Sequence, residues 1–144
     1  LTESDLPIVV REGTEKDFPS VTRIQGRSPE AAQWPLGDYA GFPLLVALVE
    51  NSIAGFCSWR QIAPGEWEIL NLAVNPDLRR RGIASALLKT LCEHARGTIF
   101  LEVAEPNAAA VALYTSHGWE PVGIREGYYA HGTINGIVMK KCSW

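Results

Sequence analysis

Three consecutive arginines, Arg79, Arg80 and Arg81, precede Gly82, Ile83 and Ala84 in an otherwise acidic chain. They lie between an apolar stretch ending at Val74 and the most regular helical pattern in the sequence, so Gly82 falls where a helix begins. A helix N-terminus presents unpaired backbone N–H groups and the positive end of its dipole. Small residues at Gly82 and Ala84 let backbone come close to a ligand, and the guanidiniums add charge-assisted bonds. The chemistry this suggests is capture of a small anion such as phosphate; a solvated basic patch on a helix end is the plainer alternative. Neither G-x-x-x-x-G-K-[ST] nor G-x-G-x-x-G occurs here, which excludes a Walker loop and a dinucleotide fingerprint.

A second group follows at Leu101-Glu102-Val103-Ala104 and Asn107 to Tyr114. Strand alternation puts Phe100, Glu102 and Ala104 on one face and Ile99, Leu101 and Val103 on the other. Glu102 is therefore a carboxylate in an otherwise apolar strand, and burial there would make it a better base near neutrality. The alternative is a glutamate reaching solvent at a sheet edge. Asn107, Ala110, Val111 and Tyr114 share one helix face by their spacing. Asn107 can cap that helix or bond an amide-bearing ligand. Tyr114 is either a proton donor or an ordinary tyrosine with its ring in the core. His94, His117 and His131 are scattered without metal-ligand spacing, and no Ser-His-Asp or Cys-His grouping is visible. No metal site and no covalent intermediate are expected.

Positioning these groups requires a particular run of elements. Ile8-Val9-Val10 reads as a short strand, and Thr14 with Asp17 three residues on reads as a helix start. Ser28-Pro29-Glu30 predicts a second helix start, ended or kinked at Gln33-Trp34-Pro35. Leu44 to Glu50, Ile53 to Gln61 and Trp67 to Val74 form a meander with turns at Asn51-Ser52 and Pro64-Gly65. Asn75-Pro76-Asp77 breaks the sheet. Ile83, Leu87 and Leu91, with Ala84, Leu88, Cys92 and Ala95, give one apolar helical stripe ended by Arg96-Gly97. Thr98 to Ala104 is a strand, Asn107 to His117 a helix stopped by Gly118, and two strands follow, Trp119 to Arg125 and Thr133 to Lys140. The class is α+β, a mixed but mostly antiparallel sheet of about six to seven strands flanked by helices.

At 144 residues the chain fits one domain, residues 1–144, and 47% hydrophobic composition excludes disorder. The net charge of −3 disfavours a nucleic-acid groove. It is unevenly spread: residues 1–72 hold 5 basic and 10 acidic groups, residues 73–144 hold 8 and 6. Cys57, Cys92 and Cys142 are odd in number and form no C-x-x-C pair, which suits reduced thiols in the cytoplasm. No uninterrupted apolar run is long enough to span a membrane, and Leu1 to Asp5 lacks the pattern of a signal peptide, so no membrane partner is expected.

Arg79-x-x-Gly82-x-Ala84, between a strand and a long helix, fits the R/Q-x-x-G-x-G/A signature of the GNAT superfamily of acetyl-CoA-dependent N-acetyltransferases. From Ile69 to Tyr129 the chain more narrowly resembles the bacterial ribosomal-protein alanine N-acetyltransferases (RimI type) and related protein N-terminal acetyltransferases. The matching pieces are N-L-A-V-N-P-D at 71–77, R-R-R-G-I-A at 79–84, L-E-V at 101–103, N-A-A-A-V-A-L-Y at 107–114 and the Tyr128-Tyr129 pair. The resemblance implies a GNAT fold and acetyl-CoA as cosubstrate. Leu72, Ala73 and Val74 would hold pantetheine through strand backbone, and Arg79, Arg80, Arg81, Gly82, Ile83 and Ala84 would cradle the pyrophosphate. Asn107 and Tyr114 would also contact the cofactor. Glu102 would be the general base, usually through water, and Tyr114 the general acid. Trp34, Tyr128 and Tyr129 would face the acceptor, a protein or peptide N-terminus. Two positions depart from the pattern: Pro106 stands where serine often precedes the asparagine, and Ala130 where proline often follows the tyrosines. A small-amine acetyltransferase on the same scaffold, or a CoA-binding module without turnover, are the competing expectations.

Overall fold

The computed structural model describes residues 6–129 and 132–143, with side chains for all of these except Leu36, Tyr128 and Tyr129. Seven strands alternate with three helices: β1 (Ile8–Glu12), α1 (Phe18–Gly26), β2 (Leu44–Val49), β3 (Ser52–Ala63), β4 (Glu66–Val74), α2 (Ile83–His94), β5 (Gly97–Ala104), α3 (Ala108–Ser116), β6 (Glu120–Tyr129) and β7 (Ile134–Ser143). Hydrogen-bonded neighbours follow the order β1-β2-β3-β4-β5-β7-β6. β4 and β5 run parallel, while β1/β2, β2/β3, β5/β7 and β6/β7 are antiparallel. The sheet is thus mixed and mostly antiparallel, as expected. The described residues fall into two compact units, one of 6–60 with 70–94, the other of 61–69 with 95–129 and 132–143.

In the first unit, Val21 and Ile24 of α1 pack with Tyr39, Leu44, Val46, Phe56 and Ala73, all buried. Alternation sends Leu45 and Ala47 to the opposite face of β2, where they are also buried and α2 packs against the strand. Each buried valine, leucine, isoleucine or phenylalanine among them contributes about 1.5–3 kcal/mol. Glu50 and Asn51, both at positive φ, make the tight β2–β3 turn. The β2/β3 register then shifts, so that Ala47 faces Gly55 and Leu48 faces Ile53, leaving Ala54 without a partner on β2. The Ala54 carbonyl instead accepts from the Asn75 N–H at 2.7 Å, tying the end of β4 to this bulge.

The N-terminal helix signal at Thr14 is realised as a short 3-10 turn, Glu15–Asp17, leading into α1. The Asp17 carboxylate accepts from the Thr14 N–H (2.9 Å) and from both terminal nitrogens of Arg11 (2.8 and 3.0 Å). The Ser28-Pro29-Glu30 helix does not form. Residues 27–35 are irregular, followed by a 3-10 turn, Leu36–Tyr39. The reason is local: Ser28 spends its carbonyl on a turn to the Ala31 N–H (2.9 Å). The Gln33 amide nitrogen lies within hydrogen-bond distance of the carbonyls of Gln25, Ser28 and Ala31, and a helix starting at Ser28 would need the last two for its own N–H groups.

In the second unit, β4 pairs with β5 from Glu66/Thr98 to Glu68/Phe100, and β5 pairs along its whole length with β7. Gly97 sits at φ +138 with a Cβ position only 2.1 Å from the Gly65 carbonyl oxygen, so only glycine fits where the Thr98 N–H donates to that oxygen (2.8 Å). Ile99, Leu101, Val103, Met139, Tyr114 and Trp119 form the buried centre of this unit. The Trp119 indole N–H donates to the Ile99 carbonyl at 3.1 Å, and Lys141 Nζ lies 5.1 Å above its ring. Among the described residues, no helix is long and apolar enough to cross a membrane and no cluster of metal-ligating side chains occurs.

Candidate active site

The first unit carries the strand–loop–helix segment expected from the sequence to meet an anion. β4 ends at Val74, and Asn75 caps a 3-10 turn, Pro76–Leu78, by accepting from the Asp77 N–H at 3.0 Å. Arg27 braces that turn, donating to Asn75 Oδ1 (3.2 Å) and to Asp77 Oδ2 (3.0 Å). Arg80 and Gly82 then adopt positive φ, 66° and 81°. The Gly82 carbonyl accepts the first α2 bond, from the Ala86 N–H at 3.0 Å, so the helix offers no acceptor to the N–H groups of Ile83 and Ala84. A Cβ on Gly82 would meet nothing within 4 Å; its φ rather than crowding calls for glycine. Gly55 supports the loop from below, since a Cβ there would press on the Ala73 carbonyl at 3.0 Å and the Ile83 side chain at 3.1 Å.

Side chains here divide by depth. Ile83 and Ala73 are buried core residues, so neither side chain faces a ligand and only their backbones could serve one. Leu72 and Val74 are half-buried, and Arg79 and Arg80 are exposed. Arg79 forms an ion pair with Glu30, a partner 49 positions away that no local pattern signals.

The second unit carries the carboxylate, the asparagine and the phenol. β5 alternates buried Ile99, Leu101 and Val103 with half-buried Phe100, Glu102 and Ala104, as the period predicted. Glu102 lies opposite Val138 of β7. Its Oε2 accepts from Arg125 of β6 at 3.2 Å, while its Oε1 is buried with no hydrogen-bond partner. A buried acceptor without a donor is a costly arrangement. Asn107 caps α3: its Oδ1 accepts from the Ala110 N–H at 3.2 Å, and its carbonyl accepts from the Val111 N–H at 3.1 Å. Pro106 stands just before this cap, outside the helix, where its missing N–H leaves α3 undisturbed. Tyr114 is buried and makes an edge contact with Trp119, ring centroids 5.8 Å apart.

Trp34 is half-buried and packs against the α1 core cluster. Tyr128 and Tyr129 have backbone in β6, while their side chains, and Ala130 and His131 altogether, lie outside the described residues. Of the other titratable groups, burial holds the Cys57 thiol well above its usual range, and burial with nearby Lys141 lowers His117.

The chain matches the model of the Acetyltransferase (GNAT) family over residues 10–119. It is 34% identical over 134 residues to the ribosomal protein bS18-alanine N-acetyltransferase of Salmonella typhimurium strain LT2, covering 85% of this chain and 89% of that protein. It is 37% identical over 91 residues to the N-alpha-acetyltransferase RimI of Mycobacterium tuberculosis, covering 62% and 58%. The crystal structure of the ribosomal-protein-S18-alanine N-acetyltransferase from Escherichia coli superposes with a TM-score of 0.82 at 27% identity, covering 95% of this chain and 94% of that one. With a strand–loop–helix passage from β4 into α2 and a family match across most of the sequence, the protein belongs to the GNAT family of acetyltransferases and is an acyltransferase.

Proposed function

We propose that this chain transfers an acetyl group from acetyl-CoA to the N-terminal α-amine of a protein, a ribosomal protein being the first candidate, in the cytoplasm and as one domain. The observation that carries the reading is the buried, unpartnered Oε1 of Glu102, a carboxylate oxygen poised to receive a proton. Supporting it are the relatives named for ribosomal-protein alanine acetylation.

Acetyl-CoA supplies a thioester whose carbonyl carbon is open to attack by a neutral amine. The residues present fit it: the α2 N-terminus offers backbone N–H groups at Ile83 and Ala84, Gly82 leaves open space above them, and Arg79 to Arg81 add positive charge. The backbone of Leu72, Ala73 and Val74 would hold the pantetheine arm, and an N–H near Val74 would polarise the carbonyl. Glu102 takes the amine proton, through a water, as the new C–N bond forms. The Tyr114 Oη gives its proton to the departing sulfur as the C–S bond breaks. Asn107 sets the start of α3 and so the placement of Tyr114 along the helix. Tyr128, Tyr129 and Trp34 would meet the acceptor.

Ordinary pKa values favour an α-amine over lysine. Near pH 7.2 an α-amine is about a quarter neutral, lysine less than about 0.1%. One carboxylate reached through water suffices for the former. Mass spectrometry of short peptides with a free N-terminal alanine, incubated with acetyl-CoA, tests the reading. Acetylation on the α-nitrogen is expected. Acetylation of free small amines alone, or acetyl-CoA binding without product, would replace it with one of the competing functions.

A further inference from the structure

Three buried polar residues of the first unit meet: Gln25 at the end of α1, Tyr39 in the 3-10 turn before β2, and Asn71 in β4. The Tyr39 hydroxyl donates to Gln25 Oε1. The Asn71 amide nitrogen lies 3.0 Å from the Tyr39 oxygen and 3.3 Å from Gln25 Oε1, so each acceptor in the group faces a donor. Burial holds the Tyr39 hydroxyl above its usual pKa, which keeps it a donor, although its bond from Asn71 acts in the opposite sense.

The network has two outlets, and both are backbone carbonyls of the irregular segment 27–35. Asn71 Nδ2 donates to the Ala32 carbonyl at 2.9 Å, and Gln25 Nε2 donates to the Trp34 carbonyl at 2.7 Å. No ladder or helix fixes this segment, so side-chain amides do that work. Asn71 also turns back to its own strand, its Oδ1 accepting from the Leu72 N–H at 3.1 Å. One side chain therefore joins the start of the 72–74 backbone to the loop that carries Trp34. A buried amide network that only filled space would be replaceable by apolar side chains at little cost. This one instead ends on the carbonyls of a single loop.

We infer that Asn71, with Gln25 and Tyr39, is a positioning set for the acceptor: it holds Ala32 and Trp34 against β4 and thereby sets how well an amine-bearing peptide is bound. The inference rests on the proposal that the Trp34 loop faces the acceptor. Asn71→Asp keeps the size and the acceptor toward Leu72 but sets an oxygen against the Ala32 carbonyl. Gln25→Met keeps the length and removes the donor to Trp34. Tyr39→Phe deletes one hydroxyl while keeping the ring, which packs against Phe18 and Phe56.

Steady-state kinetics with acetyl-CoA and a short peptide bearing an N-terminal alanine test it. Asn71→Asp and Gln25→Met should raise the peptide KM roughly tenfold, and Tyr39→Phe less, with kcat and the acetyl-CoA KM within about twofold. A loss of packing alone would lower thermal stability without this split. An unchanged peptide KM in folded Gln25→Met or Asn71→Asp overturns the inference, as does an equal rise in both KM values. Should Asn71→Asp not fold, Gln25→Met carries the same test. Trp34→Ala separates the two levels: if it raises the peptide KM while the network variants do not, only this inference falls. If Trp34→Ala is silent as well, the acceptor assignment falls with it.

Discussion

Glu102 presents its two carboxylate oxygens to unlike surroundings, one toward Arg125 and one buried without a donor. Glu102→Gln keeps the shape and removes the base, so kcat/KM is expected to fall by about 10²-fold or more, and the rise in rate that accompanies ionisation of this carboxylate should vanish from the pH–rate profile. An unaltered profile would remove Glu102 from the reaction. Tyr114→Phe keeps the ring against Trp119 and deletes only the hydroxyl; turnover is expected to fall about tenfold or more, with acetyl-CoA affinity measured by calorimetry nearly intact. Unchanged turnover would return Tyr114 to a packing role. These two residues were legible because their types clash with their settings: a carboxylate in an apolar strand and a phenol closing an alanine-rich helix face. Their partners were not. Arg125 is 23 positions from Glu102, Glu30 is 49 from Arg79, and Gln25 is 46 from Asn71, distances that no local periodicity encodes.

At the scale of the elements, their termini decide how firmly each is held. Asp17 closes the entry to α1 through Arg11 and the Thr14 N–H. The hydrogen bonds from Arg11, the larger influence, and from Thr14 hold the Asp17 carboxyl below the usual carboxylate range despite burial. A carboxyl depressed in the folded state stabilises the fold above its unfolded pKa of about 3.9, and that contribution is lost as pH falls through the lower folded value. Asp17→Asn should cost about 1–3 kcal/mol at neutral pH, measured by urea unfolding, with the gap to the parent protein closing below about pH 4. A gap independent of pH would assign the loss to packing alone. Elements with a strong period, α2 and β5 above all, form where the pattern predicts them, since a single apolar stripe or an alternating strand has one consistent burial. The expected helix at Ser28-Pro29-Glu30 failed because a good cap and a proline start a helix only where the carbonyls from the cap onward stay available, and Gln33 engages two of them, those of Ser28 and Ala31.

Across the whole molecule, the hairpins and the β-α-β passage from β4 through α2 to β5 could be inferred from loop length. The insertion of β7 between β5 and β6 could not, because it depends on pairing between strands whose order no turn residue dictates. The charge imbalance also gains a structural meaning. Arg79 is held by an acidic residue of the first half, so part of the negative excess before residue 72 serves to balance the cradle arginines. Finally, the bulge at Ala54 makes a reporter. Because Ala54 has no register partner on β2 and its carbonyl receives the Asn75 N–H, protection of that amide follows docking of the loop after β4 rather than opening of the β2/β3 ladder. In hydrogen–deuterium exchange the Asn75 amide should exchange faster than those of central β5 and slow when CoA is added. An Asn75 rate indifferent to CoA would mean that the loop is already as rigid as the sheet beneath it.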